Sequence, residues 1–175
     1  MTTWVIDSSH SNIGFTVKHM MVSKVRGNFE SFKGTIEGNP EDLANANIEF
    51  SVDMSTINTN SEDRDNHLRS ADFFDAETHP EMKFVSTAIA KTDDDEYDVT
   101  GDLTIKGVTK KVTFEAEYEG KATNPWGQEV VGFTVKGKIK RKDFGLTWNQ
   151  ALETGGVLVG DDVKIIIELE ANPAQ

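Results

Sequence analysis

Apolar and polar residues alternate along most of this chain with a period of two, the spacing that puts successive side chains on opposite faces of a strand. In "SNIGFTVKHMM", Ile13, Phe15, Val17, His19 and Met21 share one face. In "VRGNFESFKGTIEG", Val25, Gly27 and Phe29 do the same, and after an offset at Phe32 the pattern resumes at Ile36. Ile48, Phe50, Val52 and Met54 form the next apolar face, followed by Met82, Phe84 and Ser86. Four more runs follow: Val99, Gly101, Leu103 and Ile105; Val112, Phe114, Ala116 and Tyr118; Val131, Phe133, Val135, Gly137 and Ile139; and Val163, Ile165, Ile167 and Leu169.

Turn signals separate these runs at Gly38-Asn39-Pro40, Thr92 to Glu96, Lys106-Gly107, Asn124-Pro125-Trp126-Gly127 and Gly155-Gly156. Links this short require antiparallel neighbours, since parallel pairs need long crossovers. About eight antiparallel strands with one apolar face each predict an all-β barrel or sandwich. Glycines inside the strands (Gly14, Gly34, Gly101, Gly132, Gly137) favour the strong bending of a barrel. A barrel this size is either filled by side chains or holds a ligand, and strand pattern alone favours the packed core.

The stretch "NHLRSADFFDAETHPEMKF", residues 66–84, breaks the alternation. A helix is predicted from roughly Asn60 to Ser70, capped by Ser61 or Asn60. Glu62, Asp63 and Asp65 suit the positive end of its dipole and Arg69 the other end. No repeat or linker interrupts the chain, so residues 1–175 read as one domain.

Composition narrows the function. A net charge of −12 and a pI near 4.7 argue against nucleic acid and against anchoring on an anionic membrane. The absence of cysteine removes disulfides, thiolate catalysis and thiolate metal sites. The opening "MTTWVIDSSHSNIGF" has no basic and apolar leader, so the chain as written is expected to be cytoplasmic, or periplasmic or secreted if a leader has been removed. Side-chain chemistry is sparse. His10, His19, His67 and His79 have no zinc-hydrolase spacing, although a site gathered from separate strands stays open. His19 reads as a hydrogen-bonded core histidine, and His10, three residues after Asp7, as an ordering group for the first turn. Asp143 beside Arg141 reads as an ion pair at a strand end rather than an acid–base pair. "KGVTKKV" reads as a solvated hairpin, and Trp126 as folded back over its own hairpin. No nucleophile elbow or phosphate loop occurs. The residues leave carrier, enzyme and inert scaffold all open.

Several stretches together resemble one family. "WVIDSSHSNIGFTVKH" is similar to the W-x-I-D-x-x-H-S-x-I-x-F-x-V-x-H opening of the YceI-like, or polyisoprenoid-binding, proteins, matching at Trp4, Ile6, Asp7, His10, Ser11, Ile13, Phe15, Val17 and His19. The helical stretch resembles their D-x-H-L-[RK]-S-x-D-F-F-D segment through Asp65, His67, Leu68, Arg69, Ser70, Asp72, Phe73, Phe74 and Asp75. "GDLTIKGVTKKV" and "KIKRKDFGL" resemble two further motifs, so the likeness spans essentially the whole chain; His79 departs from it, standing where an aromatic residue is expected before the proline.

The resemblance implies a lipocalin-like antiparallel barrel around a long isoprenoid amphiphile, such as a polyprenyl phosphate or isoprenoid quinone, with no assured catalysis and no cofactor. The helix then covers one end, anchored by Phe73 and Phe74 and rimmed by His67, Arg69 and Asp72. Strand parity sets the tail against Phe15, Val17, Phe29, Phe50, Val52, Phe84, Leu103 and Phe133, with Ile13 and His19 on the same wall. Arg69 or Arg141 would meet an anionic head. The competing readings are an enzyme using His19, Asp143 or His67, a metal or haem carrier using the histidines, and a packed barrel. Pairing of edge strands is one route to a homodimer; no stable membrane anchor is expected.

Overall fold

The computed structural model describes residues 2–150, 152 and 157–174. Its strands come partly in collinear halves. β1 (Thr3–Ile6) and β2 (Asn12–His19) lie along one edge of the last strand, separated by a 3-10 turn at Ser8–His10. β3 (Ser23–Phe29) and β4 (Phe32–Asn39) are two halves of the next stave, and β5 (Asp42–Asp53) and β6 (Ile57–Asn58) of the third. After α1 (Glu62–Arg69), the strands β7 (Glu81–Asp93), β8 (Glu96–Ile105), β9 (Val108–Thr123), β10 (Glu129–Lys140) and β11 (Val159–Pro173) each form a stave alone. The pairings are antiparallel, and β11 closes the ring by pairing with β10 on one edge and with β2 and β1 on the other. The result is a closed barrel of 8 antiparallel staves, as the alternation predicts.

The inward faces match the parity reading. Ile13, Phe29, Ile36, Ile48, Val52, Phe84, Val99, Leu103, Phe114, Phe133 and Leu169 are all buried. The strand glycines have a steric reason as well as bending. A Cβ on Gly101 would stand 2.6 Å from the Phe84 ring, and one on Gly27 2.6 Å from the ring of Phe15. One on Gly137 would collide with the Phe114 ring. Each glycine is a notch that receives a phenylalanine from a neighbouring stave.

Two expectations are corrected. Met21 is not on the β2 face, because β2 ends at His19 and Met20 and Met21 enter the hairpin tip with φ of 54° and 65°. Trp126 does not fold back; it is 86% exposed at the tip of the β9–β10 hairpin. The expected β7 face extends only as far as Ser86; beyond it a bulge against Gly101 and Thr100 brings Ile89 onto the core side. The Gly155-Gly156 turn lies outside the described residues.

All staves begin and end at two opposite rims. One carries the β4–β5, β7–β8 and β9–β10 turns; the other carries the β2–β3 and β8–β9 turns, the segment after β10 and the insert containing α1.

Candidate functional site

The insert between β6 and β7 is built around Thr59. Buried Asp65 accepts hydrogen bonds from the Thr59 backbone N–H and hydroxyl, and Arg64 donates through Nε to Thr59 Oγ1 at 2.7 Å and through Nη2 to the Thr59 carbonyl. Ser61, one of the two expected caps, caps the helix by accepting from the Arg64 N–H at 3.4 Å, and the helix begins at Glu62, two residues after the expected Asn60. Beyond α1 the chain turns back on itself: Phe74 N–H donates to the Leu68 carbonyl and Ala76 N–H to that of Arg69. This return places Leu68, Phe73 and Phe74 over the barrel mouth.

Aromatic contacts pin this cover. The His67 ring meets Phe73 edge-on at 5.0 Å and Trp148 at 4.6 Å, and Phe73 lies 5.4 Å from Trp148. His67 Nε2 also lies 3.0 Å from Asp72 Oδ2. Trp148 had no signal in the sequence, because "GLTWNQ" has no alternation and stands on no strand. On the other flank, Lys106 donates to the Ala71 carbonyl at 2.9 Å, and the His79 ring lies against Gly107. His79, the departure from the family pattern, thus packs on the β8–β9 turn.

Inside the barrel are two apolar cavities of about 90 and about 100 Å³. The first lies deep, between Leu43, Phe50, Phe84, Phe114, Phe133 and Leu169. The second lies under the cover, between Phe15, Phe29, Leu68, Phe73, Phe74 and Arg141. Ile13, Met82 and Ile165 line both and form the waist between them. Phe50, Met82, Val135, Ile165 and Ile167 point inward yet remain partly accessible, because the surface they expose faces these voids.

Of the residues chosen from sequence, Ile13, Phe15, Val17, Phe29, Phe50, Val52, Phe73, Phe74, Phe84, Phe133 and Arg141 line one cavity or both. Leu103 is buried in the core but lines neither, and His19 ends β2 half-buried outside both. His67 stands behind Phe73 on the outer side of the cover. Arg69 turns away, donating to Asn66 Oδ1 at 2.6 Å and to the Ser55 carbonyl at 3.4 Å. Sequence reasoning missed Met82, Ile105, Ile139, Leu146, Val163 and Ile165 as lining residues, although parity had already turned most of them inward.

Arg141 is the polar feature of the upper cavity. It is buried at 3% exposure. Its Nε donates to the Gly160 carbonyl at 2.8 Å, Nη1 to those of Leu146 and Trp148 at 2.6 and 2.9 Å, and Nη2 to that of Val159 at 3.3 Å. The expected ion pair with Asp143 is absent: Asp143 is exposed on the turn after β10, and among the described residues no carboxylate bridges to Arg141. Burial pulls the guanidinium pKa below its ordinary value, with Asp161 acting the other way. Among the described residues this cation is held by carbonyls alone, which organises the loop and leaves a positive field at the mouth of an apolar chamber.

The three acid–base candidates are not assembled: His19, His67 and Asp143 line neither cavity. Among the described residues, the one trio of close metal-type donors is Asp7, His10 and Glu170. It lies at the β1–β2 break, where His10 Nδ1 is 2.8 Å from Asp7 Oδ2 and Asp7 caps the 3-10 turn through the Ser9 N–H, the ordering role expected of His10.

A family model for the YceI-like domain matches residues 4–171. The chain belongs to the YceI-like family. The YceI-like protein is 47% identical over 165 residues to a UPF0312 protein of Staphylococcus epidermidis, and 44% identical over 165 residues to one of Staphylococcus aureus, in each case across 94% of both chains. Among solved structures it is similar to Burkholderia cenocepacia BcnA, with a TM-score of 0.82 at 27% identity over 94% of this chain and 98% of that one. The Campylobacter jejuni YCEI protein matches at 0.77 and 36% over 90% of each chain. A polyisoprenoid binding domain from Saccharophagus degradans shares the fold, with a TM-score of 0.72 at 14% identity over 98% of each chain.

Proposed function

We propose that this YceI-like protein binds a long-chain isoprenoid amphiphile in the barrel, with its tail through the waist into the deep cavity and its polar head under the cover beside Arg141. One observation carries the reading: inward aliphatic and aromatic side chains from nearly every stave leave two adjoining apolar voids, and the upper void ends at a buried cation that has no carboxylate partner among the described residues. The fold likeness to a polyisoprenoid binding domain points the same way. An anionic head is the group that such a cation favours. The protein's part is binding, carriage or sequestration, because the described acid–base candidates lie outside the chambers.

Ligand pockets usually enclose about 300–1,000 Å³. Each void falls below that, so the chain enters only by moving the waist apart. The small volumes also favour a second reading, a packed barrel without cargo. Mass spectrometry of an organic extract of the purified protein separates the two. A prenyl lipid or quinone in stoichiometric amount supports the carrier. An empty extract, followed by a prenyl phosphate titration without binding, returns the molecule to a packed barrel.

A further inference from the structure

The net charge of −12 hides an uneven distribution. On the outer face of four adjacent staves, β10, β11, β2 and β3, the exposed side chains toward the covered rim include Lys136, Lys138, Lys140, Lys164, Lys18, Lys24 and Arg26. Lys18 stands directly opposite Lys24, and Lys138 directly opposite Lys164. Like charges in cross-strand register repel, so a fold that only needed a solvated surface gains nothing from either pair. Lys138 has a partner in Asp162 at 3.3 Å; among the described residues, Lys18, Lys24 and Arg26 form no ion pair. At the opposite rim the balance reverses, with Asp93, Asp94, Asp95 and Glu96 in the β7–β8 turn and with Glu41 and Glu129 sharing the single cation Lys121.

At the tip of the β2–β3 hairpin, within this basic face, three consecutive apolar residues stand in solvent. Met20, Met21 and Val22 are 46%, 53% and 86% exposed. Such a run is out of place on a soluble surface unless it meets something. The backbone at Met20 and Met21 is left-handed, a conformation that favours asparagine and glycine, yet two methionines occupy it. The tip is joined to the mouth of the upper cavity: Met20 N–H donates to the Leu158 carbonyl at 2.8 Å, His19 pairs with Val159, and Val159 lines that cavity and accepts from Arg141. Trp126 is equally exposed but stands at the acidic rim.

We infer that the Met20–Val22 hairpin, flanked by Lys18, Lys24 and Arg26, docks the covered rim on an anionic lipid bilayer. The apolar tip enters the headgroup boundary, the lysines meet lipid phosphates, and the acidic rim is held away by repulsion. The docked orientation faces the mouth of the upper cavity toward the membrane from which an amphiphile would be drawn or to which it would be returned. The inference rests on the isoprenoid reading for its purpose but not for its test.

The test is cosedimentation of the full chain with phosphatidylcholine vesicles and with vesicles also containing phosphatidylglycerol. The wild-type protein is expected in the pellet with the anionic vesicles, and released by raised salt. Met20→Asn combined with Met21→Gly suits the left-handed backbone, keeps the circular dichroism spectrum, and should weaken partitioning at least tenfold. Lys18→Gln and Lys24→Gln should weaken it about fivefold each. Wild-type protein that stays in the supernatant with both vesicle types overturns the docking and leaves the tip to a protein partner. So does a tip variant that sediments like wild type. A parallel titration with a soluble prenyl phosphate reads the cargo separately: prenyl binding without vesicle binding sinks the docking alone, and vesicle binding without prenyl binding sinks the cargo alone.

Discussion

Replacing Arg141 by methionine separates its structural work from its proposed work on a ligand. The guanidinium serves four carbonyls, those of Leu146, Trp148, Val159 and Gly160. Hydrogen bonds from a charged donor contribute about 1.5–3 kcal/mol each, so the gross loss is on the order of 6–12 kcal/mol. Two effects oppose it. Removing a buried cation relieves a desolvation cost of several kcal/mol, and water reaches some of the freed carbonyls once the loop loosens. A net loss of about 3 kcal/mol follows, or a fall in Tm of about 6–12 °C for a domain of this size. Arg141→Lys keeps the charge but not the fork that spans separate carbonyls, so it should recover only part of the stability. Affinity is the sharper readout. If the remaining field of Arg141 meets an anionic head, Arg141→Met should weaken a short soluble prenyl phosphate by about 10–150-fold, while the matching neutral prenol loses far less. Calorimetric melting and titration of both ligands measure the two effects. Equal losses for phosphate and alcohol would show that Arg141 only shapes the loop and refute its charge role. An unchanged Tm would refute the carbonyl scaffold.

Gly137→Ala sets a Cβ into the Phe114 ring and should lower stability by about 1–3 kcal/mol, read from chemical denaturation. Trp148→Ala removes two aromatic contacts of about 0.5–1.5 kcal/mol each from the cover, so amide exchange across α1 should quicken about tenfold while the barrel strands stay protected. The Asp7–His10 clamp sets a pH window. The Ser9 hydroxyl and then His10 lower the Asp7 pKa, and Asp7 raises that of His10. The histidine's contribution is full below its ordinary value of 6.5 and fades as pH rises through its raised folded value. The aspartate's contribution is present above its ordinary 3.8 and fades as pH falls through its lowered folded value. The clamp is therefore complete between the two, and in Asp7→Asn the NMR titration midpoint of His10 should drop toward its ordinary value; an unmoved midpoint would show the contact to be idle.

Much of this was legible in the chain because strand parity is a local rule. The inward faces read from alternation are inward here except where a strand ends early, as at Met21, or a bulge intervenes, as at Ser86–Ala88, where the sequence "STAIA" offers no sign of the slip. The helix was legible from its cap and its charge gradient. Its partners were not, since Trp148 and the carbonyls around Arg141 come from a segment without period, and their meeting depends on closure of the whole ring. The Arg141–Asp143 pair failed for a related reason. Adjacency in sequence suggested contact, but the turn after β10 sends the arginine inward and leaves the aspartate outside. Net charge was a poor guide to surfaces, because a sum over the chain cannot show that six of its fourteen lysines share the outer face of four adjacent staves.

The interior also indicates what must move when a tail enters. The rings of Phe15, Phe84 and Phe114 are keyed into the notches at Gly27, Gly101 and Gly137, so they have no room to swing aside. At the waist, Ile13 and Ile165 are β-branched and stiff at χ1. Met82 is unbranched, with a polarizable thioether and several free torsions, and it alone of the three can change shape cheaply. Met82→Ile keeps nearly the same volume and should change stability by less than about 1.5 kcal/mol. It should nevertheless hold the waist shut. A short prenyl phosphate that fills only the chamber under the cover should then bind as before, whereas longer chains should lose affinity progressively with each added isoprene unit. Equal losses for short and long chains would place the gate elsewhere, and no loss for either would mean that the two chambers open without Met82.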